Sequence, residues 1–233
     1  NKWGNDRDKL PYETDGVVIK LNDIKLQKVS GFTQKAPRWA IALKYESEEA
    51  PTKLLRLIYQ VGRTGTITPV AEFDPILLAG TKVSRATLHN ANRLESLNLH
   101  TNDSIIVRKA GEIIPEVVRV IKELREESSS PLKIPELCPA CNSKLIKVDK
   151  EAATKCINLL CTDIIKGSLI HWSGKDSMDI EGLGNKLIHK LVDQNTIKSI
   201  SDIYTLKSSD LADLDGVGNI LSSKIINSIQ LSK

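Results

Sequence analysis

The sequence predicts a multidomain α+β protein with a small β-barrel, a compact four-cysteine module and an α-helical C-terminal region. Three observations lead to this fold class. Short β-type segments separated by Gly and Pro follow one another between about residues 50 and 127, and all four cysteines lie within 24 residues. After Gly167 the apolar residues recur at spacings of three and four, as they do in amphipathic helices. With 233 residues, the chain is long enough for several small domains.

The first predicted domain, residues 1–49, contains two strand-like runs, at 15–21 (DGVVIKL) and 39–45 (WAIALKY). Each run carries one lysine, Lys20 in the first and Lys44 in the second. A lysine in an apolar strand faces either solvent at a sheet edge or a phosphate in a pocket. The spacing of the two lysines does not decide between these interpretations.

The second predicted domain, residues 50–127, has the pattern of a small barrel of the oligonucleotide-binding (OB) type. Its short strand-like runs include 57–61 (LIYQV), 66–68 (TIT) and 104–109 (SIIVRK), and such runs closely spaced by turn signals are typical of barrels. Basic or polar residues stand beside glycines at two places, Arg63 with Thr64 and Arg108 with Lys109. Such loops can hold a nucleic-acid backbone, although either one alone is better explained as a solvated turn.

The third predicted domain, residues 128–166, begins with a Ser-Ser-Ser-Pro linker and contains a metal-binding pattern. The pattern is Cys-x2-Cys, fourteen residues, then Cys-x4-Cys, formed by Cys138, Cys141, Cys156 and Cys161. Four thiolates in two such knuckles suit tetrahedral Zn²⁺ in a closed site, whose role is structural. Free thiols or disulfides are the alternative, but clustered cysteines without a visible secretion signal favour a metal.

The fourth predicted domain, residues 167–233, contains one local sequence twice. The segments 180–184 (IEGLG) and 214–218 (LDGVG) lie 34 residues apart, and an amphipathic helical pattern follows each. Glycines at both hairpin positions leave backbone N–H groups exposed at the next helix start, where they can hold a phosphate. Ordinary helix joints with glycine caps are the alternative. Two copies favour binding of the DNA backbone, through Gly182, Gly184, Gly216 and Gly218.

Charge is distributed unevenly along the chain, although the net charge is only +4. Residues 20–125 contain 17 Lys and Arg against 11 Asp and Glu, whereas residues 167–233 contain 7 against 8. A polyanion is therefore attracted mainly to the first half, and the last third needs backbone groups to hold phosphate. The apolar runs are far too short to cross a membrane, so we expect no membrane partner.

In order along the chain, these motifs resemble those of bacterial-type NAD-dependent DNA ligases. Residues 10–20 (LPYETDGVVIK) look like the fourth nucleotidyltransferase motif of that family, and residues 36–45 (APRWAIALKY) look like the fifth. Three segments are similar to signatures of the family's OB-fold, namely 60–70, 86–90 and 108–115. The four cysteines and 178–184 (MDIEGLG) follow in the family's order. The resemblance implies the end of a nucleotidyltransferase (adenylation) domain, an OB-fold, a zinc finger and a partial helix-hairpin-helix domain.

The resemblance also implies an activity. Such an enzyme seals nicks in double-stranded DNA, in replication and repair, through lysyl-AMP and DNA-adenylate intermediates. NAD is the AMP donor, Mg²⁺ or Mn²⁺ the catalytic ion and Zn²⁺ a structural ion. Lys20 and Lys44 match family lysines that contact the adenylate. We expect a cytoplasmic, nucleoid-associated monomer.

Departures from the family pattern limit this expectation. The nucleophilic lysine belongs to a Lys-x-Asp-Gly motif, which the sequence does not contain. The chain also opens on Asn1, and we expect a fragment that is inactive alone. A non-catalytic DNA-binding repair module is the alternative function. An ATP-dependent ligase is disfavoured because the cysteine module with tandem hairpins resembles the NAD-dependent class.

Overall fold

The computed structural model describes residues 9–12, 14, 16–45, 47–110, 114–147, 153–212 and 214–233. Parts of two motifs quoted above lie outside these ranges: residues 13 and 15 of the first motif and residues 111–113 of the last barrel motif. Strands occupy the chain up to residue 155 and helices dominate it from residue 162 onward. This distribution agrees with the predicted α+β class.

The N-terminal part is a two-stranded antiparallel ribbon, formed by β1 (Gly16–Lys20) and β2 (Ala40–Lys44). Helix α1 (Ile24–Ser30) connects the strands, and the Asp23 carboxylate caps it by accepting hydrogen bonds from two backbone N–H groups. At Gly16 a Cβ atom would lie 2.5 Å from the carbonyl oxygen of Leu43. The close approach of the two strands therefore requires glycine at this position.

Five strands then form a closed barrel in the order β3-β4-β5-β7-β6. These are β3 (Glu49–Val61), β4 (Ile67–Leu78), β5 (Thr81–Thr87), β6 (Ser104–Ala110) and β7 (Ile114–Val120). All neighbouring strands are antiparallel except β5 and β7, which meet in parallel. Closure leaves the barrel without the unpaired edges that make open sheets prone to association.

The barrel interior is filled by aliphatic side chains and one phenylalanine. Helix α2 (Ala91–Leu97) lies between β5 and β6 in the sequence, and it contributes Leu94 and Leu97 to this core. The Asn90 side chain caps α2 by accepting from the N–H of Arg93. The most deeply buried residues, each about 1% exposed or less, include Leu54, Phe73, Leu78, Leu88, Leu99, Ile105 and Val107.

The cysteine module contains two short strands, β8 (Ile146–Lys147) and β9 (Thr154–Lys155), which pair with each other. An isolated bridge joins Thr66 of the barrel to Lys155. The backbone N–H of Cys156 also donates to the carbonyl oxygen of Gly65 at 2.9 Å. The module is therefore attached to the barrel through main-chain hydrogen bonds.

The C-terminal part consists of five helices around a second core: α3 (Thr162–Ser173), α4 (Asn185–Asp193), α5 (Ile200–Ile203), α6 (Ser208–Ala212) and α7 (Asn219–Leu231). The repeated apolar positions of both hairpins, Ile180, Leu183 and Leu214, are buried in this core. One hydrophobic core therefore holds both hairpins. No helix in the described ranges is long and apolar enough to cross a membrane.

Candidate metal centre and nucleic-acid interface

The structure brings the four cysteine sulfur atoms together, with all four Sγ atoms within 4.8 Å of one another. Cys138 and Cys161 are 3.9 Å apart, and Cys141 and Cys156 are 3.6 Å apart. A tetrahedral zinc ion with Zn–S bonds of about 2.3 Å requires sulfur–sulfur separations of about 3.8 Å. A disulfide requires about 2.05 Å. The donor set therefore fits a zinc ion.

The electrostatics of the cluster explain why it needs a cation. Burial raises the pKa of Cys156 to about 12 and also raises the pKa of Cys161. For Cys141 burial acts in the same direction, but hydrogen bonds involving Ser143 and Asn158 outweigh it, so its pKa is lowered to about 6. Four thiolates cannot accumulate in one buried place without an opposite charge, which a divalent ion supplies.

The turn that joins β3 to β4 lies against this metal site. A Cβ atom on Gly65 would lie 2.0 Å from the carbonyl oxygen of Cys156, and one on Gly167 would lie 3.0 Å from the Cα of Arg63. The backbone of the turn is thus packed between the second cysteine knuckle and α3. The side chains of Arg63 and Thr64, in contrast, are exposed. The zinc module therefore supports a turn whose polar side chains face solvent.

The second pair of predicted DNA contacts has two different environments. Arg108 is 43% exposed, and its Nε donates to Glu116 at 2.7 Å. Burial acts to raise the pKa of Glu116, but hydrogen bonds from Arg108 and His89 lower it below its usual value. Lys109 is only 7% exposed and lies on the same face of β6 as Val107, and its ammonium group donates to the Thr81 hydroxyl. The sequence pattern did not distinguish these two environments.

A further group of charged residues on the barrel was missed by the sequence analysis. Glu72 of β4 accepts from Arg56 of β3 at 2.5 Å and from Arg85 of β5 at 2.8 Å. These hydrogen bonds, from Arg56 first and then Arg85, lower the pKa of Glu72. The three residues are paired across adjacent strands, so only the strand register, which the sequence did not reveal, could have identified the group.

The two glycine hairpins have the same backbone geometry. The first glycine of each, Gly182 and Gly216, has φ values of +84° and +83°, which favour glycine over residues with a Cβ. The second glycine of each hairpin is the N-cap of the following helix: Gly184 caps α4 and Gly218 caps α7, with φ values of −86° and −84°. A glycine N-cap has no side chain that could accept from the first N–H groups of the helix. These N–H groups are therefore available to an anion in both helices.

Space and packing differ between these glycines. Nothing lies within 4 Å of a Cβ placed on Gly184 or Gly218, so a ligand could approach both helix starts. Lys190 of α4 donates to the carbonyl oxygen of Asp215 at 2.6 Å, which links the first hairpin unit to the second. The hairpins therefore present two equivalent helix starts from one folded unit.

The N-terminal ribbon places the two strand lysines on one face. Lys20 pairs with Ala40 and Lys44 with Gly16, and directly opposed residues of an antiparallel pair share a face. Four positions separate the two lysines along the strands, which corresponds to roughly 13 Å at about 3.3 Å per residue. Both side chains are exposed. A ligand the length of a nucleotide can contact both.

Comparisons with known proteins agree with this architecture. The fold and the site define a multidomain protein that joins an OB barrel to a four-cysteine zinc finger. Three family models match it: the NAD-dependent DNA ligase adenylation domain over residues 1–48, the NAD-dependent DNA ligase OB-fold domain over 51–129, and the NAD-dependent DNA ligase C4 zinc finger domain over 138–162. The chain belongs to the family of NAD-dependent DNA ligases. The predicted fold class is confirmed.

Two similar proteins illustrate the relationship. The chain is 58% identical over 231 residues to the DNA ligase of Prochlorococcus marinus (strain MIT 9303), a match that covers 99% of the chain and 33% of that protein. It is 56% identical over 233 residues to the DNA ligase of Parasynechococcus marenigrum (strain WH8102), covering 100% of the chain and 34% of that protein. The chain thus spans about a third of the length of the curated relatives it matches.

Proposed function

We propose that the chain is a DNA-holding part of an NAD-dependent DNA ligase, which joins a 3′-hydroxyl to a 5′-phosphate at a nick in duplex DNA. The observation that carries this proposal is the order of three ligase domains along one chain. The reaction passes through a lysyl-AMP and a DNA-adenylate, in replication and repair. A monomeric protein of the bacterial cytoplasm and nucleoid fits this function.

DNA binding is assigned to two surfaces with different chemistry. On the barrel, the exposed Arg63 and Thr64 and the partly exposed Arg108 supply side-chain donors to phosphates. On the hairpins, backbone N–H groups at the starts of α4 and α7 supply donors without any side-chain charge. This division accounts for the near-neutral charge of residues 167–233. Contacts of both kinds hold the backbone and do not read base sequence.

Lys20 and Lys44 are assigned to the adenylate. Their shared face on the β1–β2 ribbon lets two ammonium groups approach one nucleotide, where fixed cations stabilise the charge that develops on phosphate. NAD, when bound, supplies the AMP group. The lysine that accepts AMP lies elsewhere in a complete ligase, because this sequence has no Lys-x-Asp-Gly motif. We retain the boundaries 1–49, 50–127, 128–166 and 167–233 as proposed domains.

The cysteine cluster does not suit the catalytic Mg²⁺ or Mn²⁺, because soft thiolate ligands favour zinc. The four cysteines are the one described group of three or more metal-ligating side chains whose ligand atoms converge. Magnesium prefers oxygen ligands, commonly one or two carboxylates together with substrate phosphates. We therefore derive no step through this ion from the residues of the chain.

DNA binding is tested by measuring the affinity of the chain for nicked duplexes of several sequences at increasing salt. We expect weak sequence dependence and strong salt dependence. Arg63→Ala and Arg108→Ala should each weaken binding and reduce the salt slope by about one unit. The fold should tolerate Gly184→Leu, because the Cβ position is open and φ is ordinary. The leucine side chain should nevertheless weaken DNA binding at unchanged charge, because it obstructs the start of α4. A strong preference for one base sequence would contradict the assignment.

Catalysis is tested by exchanging this segment into the Prochlorococcus marinus DNA ligase, of which it matches 33%. If the chimaera seals nicks, Lys20→Ala and Lys44→Ala should each reduce sealing by roughly 3 kcal/mol or more, about 160-fold. Lys53→Ala, on the barrel, is the matched control. Unchanged sealing by both lysine variants would refute their role. A chimaera that binds nicked DNA normally but never seals it favours the non-catalytic alternative.

A further inference from the structure

An open groove of about 620 Å³ lies on the barrel beside β5, and it is lined by cations. Lys82 and Arg85 of β5 and Lys109 of β6 line it, together with the hydroxyl residues Thr81 and Ser84. None of the described residues that line the groove is acidic. The composition of the lining therefore favours an anion.

Lys109 is the least expected member of this group. The residue as a whole is only 7% exposed. A lysine has three N–H donors, and in the described structure two have acceptors, the Thr81 hydroxyl and the carbonyl oxygen of Ala79. Among the ion pairs of the described residues, none involves Lys109. An anion in the groove would give this ammonium group a charged partner.

Arg85 is held in a fixed position at the edge of the same groove. Its Nε and Nη2 atoms donate to one oxygen of Glu72, at 3.0 and 2.8 Å. The other oxygen of Glu72 accepts from Arg56, so the carboxylate is itself fixed from both sides. A guanidinium has five N–H donors. Arg85 is therefore oriented by Glu72 while donors remain for a second anion.

We propose that this groove binds a phosphate group of the DNA backbone, as a contact separate from the turn that carries Arg63. Three cations and two hydroxyl groups suit the several oxygens of a phosphate better than a single carboxylate. Sites for small ligands enclose most of the ligand, whereas this groove is open and lets a strand pass through it. The inference rests on the proposed function, since it assumes that the barrel lies on DNA.

The test compares two charge-matched double variants of the 233-residue chain. Lys82→Ala with Arg85→Ala removes two cations from the groove. Lys53→Ala with Lys122→Ala removes two exposed cations elsewhere, with Lys53 paired to Ser104 at the opposite end of β6 from Lys109. Affinity for a nicked duplex is measured across a salt series. Lys109→Met, which keeps the length of the side chain but removes its charge, is measured in parallel.

We expect the groove double variant to bind the duplex at least tenfold more weakly and to lower the salt slope by about two units. The control double variant should change both quantities much less. Equal effects of the two double variants would overturn the proposal. Because Lys109→Met could fail to fold, the conclusion depends on the two double variants, whose substituted side chains are exposed.

A titration with inorganic phosphate distinguishes a DNA phosphate from a free phosphate ion as the ligand of the groove. The titration is carried out at constant ionic strength, and the backbone amide signals of residues 81–85 are followed by NMR. Shifts that are lost in the groove variant, together with weaker DNA binding, support the proposal. Shifts without any effect on DNA binding indicate a free phosphate ligand and overturn the assignment to DNA. The absence of both effects overturns the groove as a phosphate site. If the unaltered chain binds no DNA, the proposed function fails, while the phosphate titration still reports on the groove.

Discussion

The two hairpins offer a controlled experiment, because Gly182 and Gly216 occupy the same position in each and differ in their surroundings. Their φ values are +84° and +83°. A Cβ on Gly182 would lie 2.7 Å from Cγ1 of Ile225, whereas a Cβ on Gly216 would meet nothing within 4 Å. Replacing each by alanine therefore imposes the same backbone strain on both hairpins and a packing clash on the first hairpin alone.

The size of each effect follows from these two contributions. An L-residue in the left-handed region costs roughly 1–2 kcal/mol, and this is the whole expected loss for Gly216→Ala. An extra carbon forced into a packed core costs about 1–3 kcal/mol more. We therefore expect Gly182→Ala to reduce the free energy of unfolding of the helical region by about 2–5 kcal/mol. Ile225 is fully buried, so it cannot move away into solvent.

The assay is urea denaturation followed by far-UV circular dichroism, since most helices of the chain lie in this region. Hydrogen exchange of the α4 and α7 amides separates this unfolding from that of the barrel. Gly184→Ala, where φ is ordinary and the space is open, is the control, and it should lose only the preference of an N-cap for glycine over alanine, about 1 kcal/mol or less. Equal losses for Gly182→Ala and Gly216→Ala would show that the contact with Ile225 does not limit this position.

Three further predictions concern the metal site, the barrel and the chemistry. Chain purified without added zinc should contain about one equivalent of zinc. Cys156→Ser should increase hydrogen exchange in the turn at 62–66 more than in β1 and β2. Equal increases in the turn and in the two strands would contradict the docking of the cysteine module through Gly65. Because hydrogen bonds from Arg56 and Arg85 hold the pKa of Glu72 below its usual value, its stabilising effect is present above the unfolded-state pKa and is lost as pH falls through the folded-state pKa. Glu72→Gln should therefore weaken the acid dependence of the urea midpoint of the barrel, and an unchanged pH profile would argue against this carboxylate. Incubation of the chain with labelled NAD should give no protein-bound AMP, since no Lys-x-Asp-Gly motif is present; a labelled protein would identify a different nucleophile.

The sequence alone determined the features whose physical cause is local. Cysteine spacing is sufficient to predict a four-thiolate site, because two short knuckles can bring their sulfur atoms together with few requirements on the rest of the chain. The repeated Gly-x-Gly segments predicted two hairpins, because a positive φ at the first glycine is a constraint of the turn itself. The short strand pattern likewise predicted the barrel.

The tertiary structure alone decided which of these local features contact one another. The contact of Gly65 with Cys156 joins residues that are far apart in sequence, and no spacing pattern encodes it. Lys109 and Arg108 are neighbours in sequence, yet one is buried and the other partly exposed, because alternate residues of a strand in a closed barrel face opposite sides. The register of β1 and β2 put Lys20 and Lys44 on a common face, since strand pairing, and not the apolar pattern of either strand, sets which residues lie opposite.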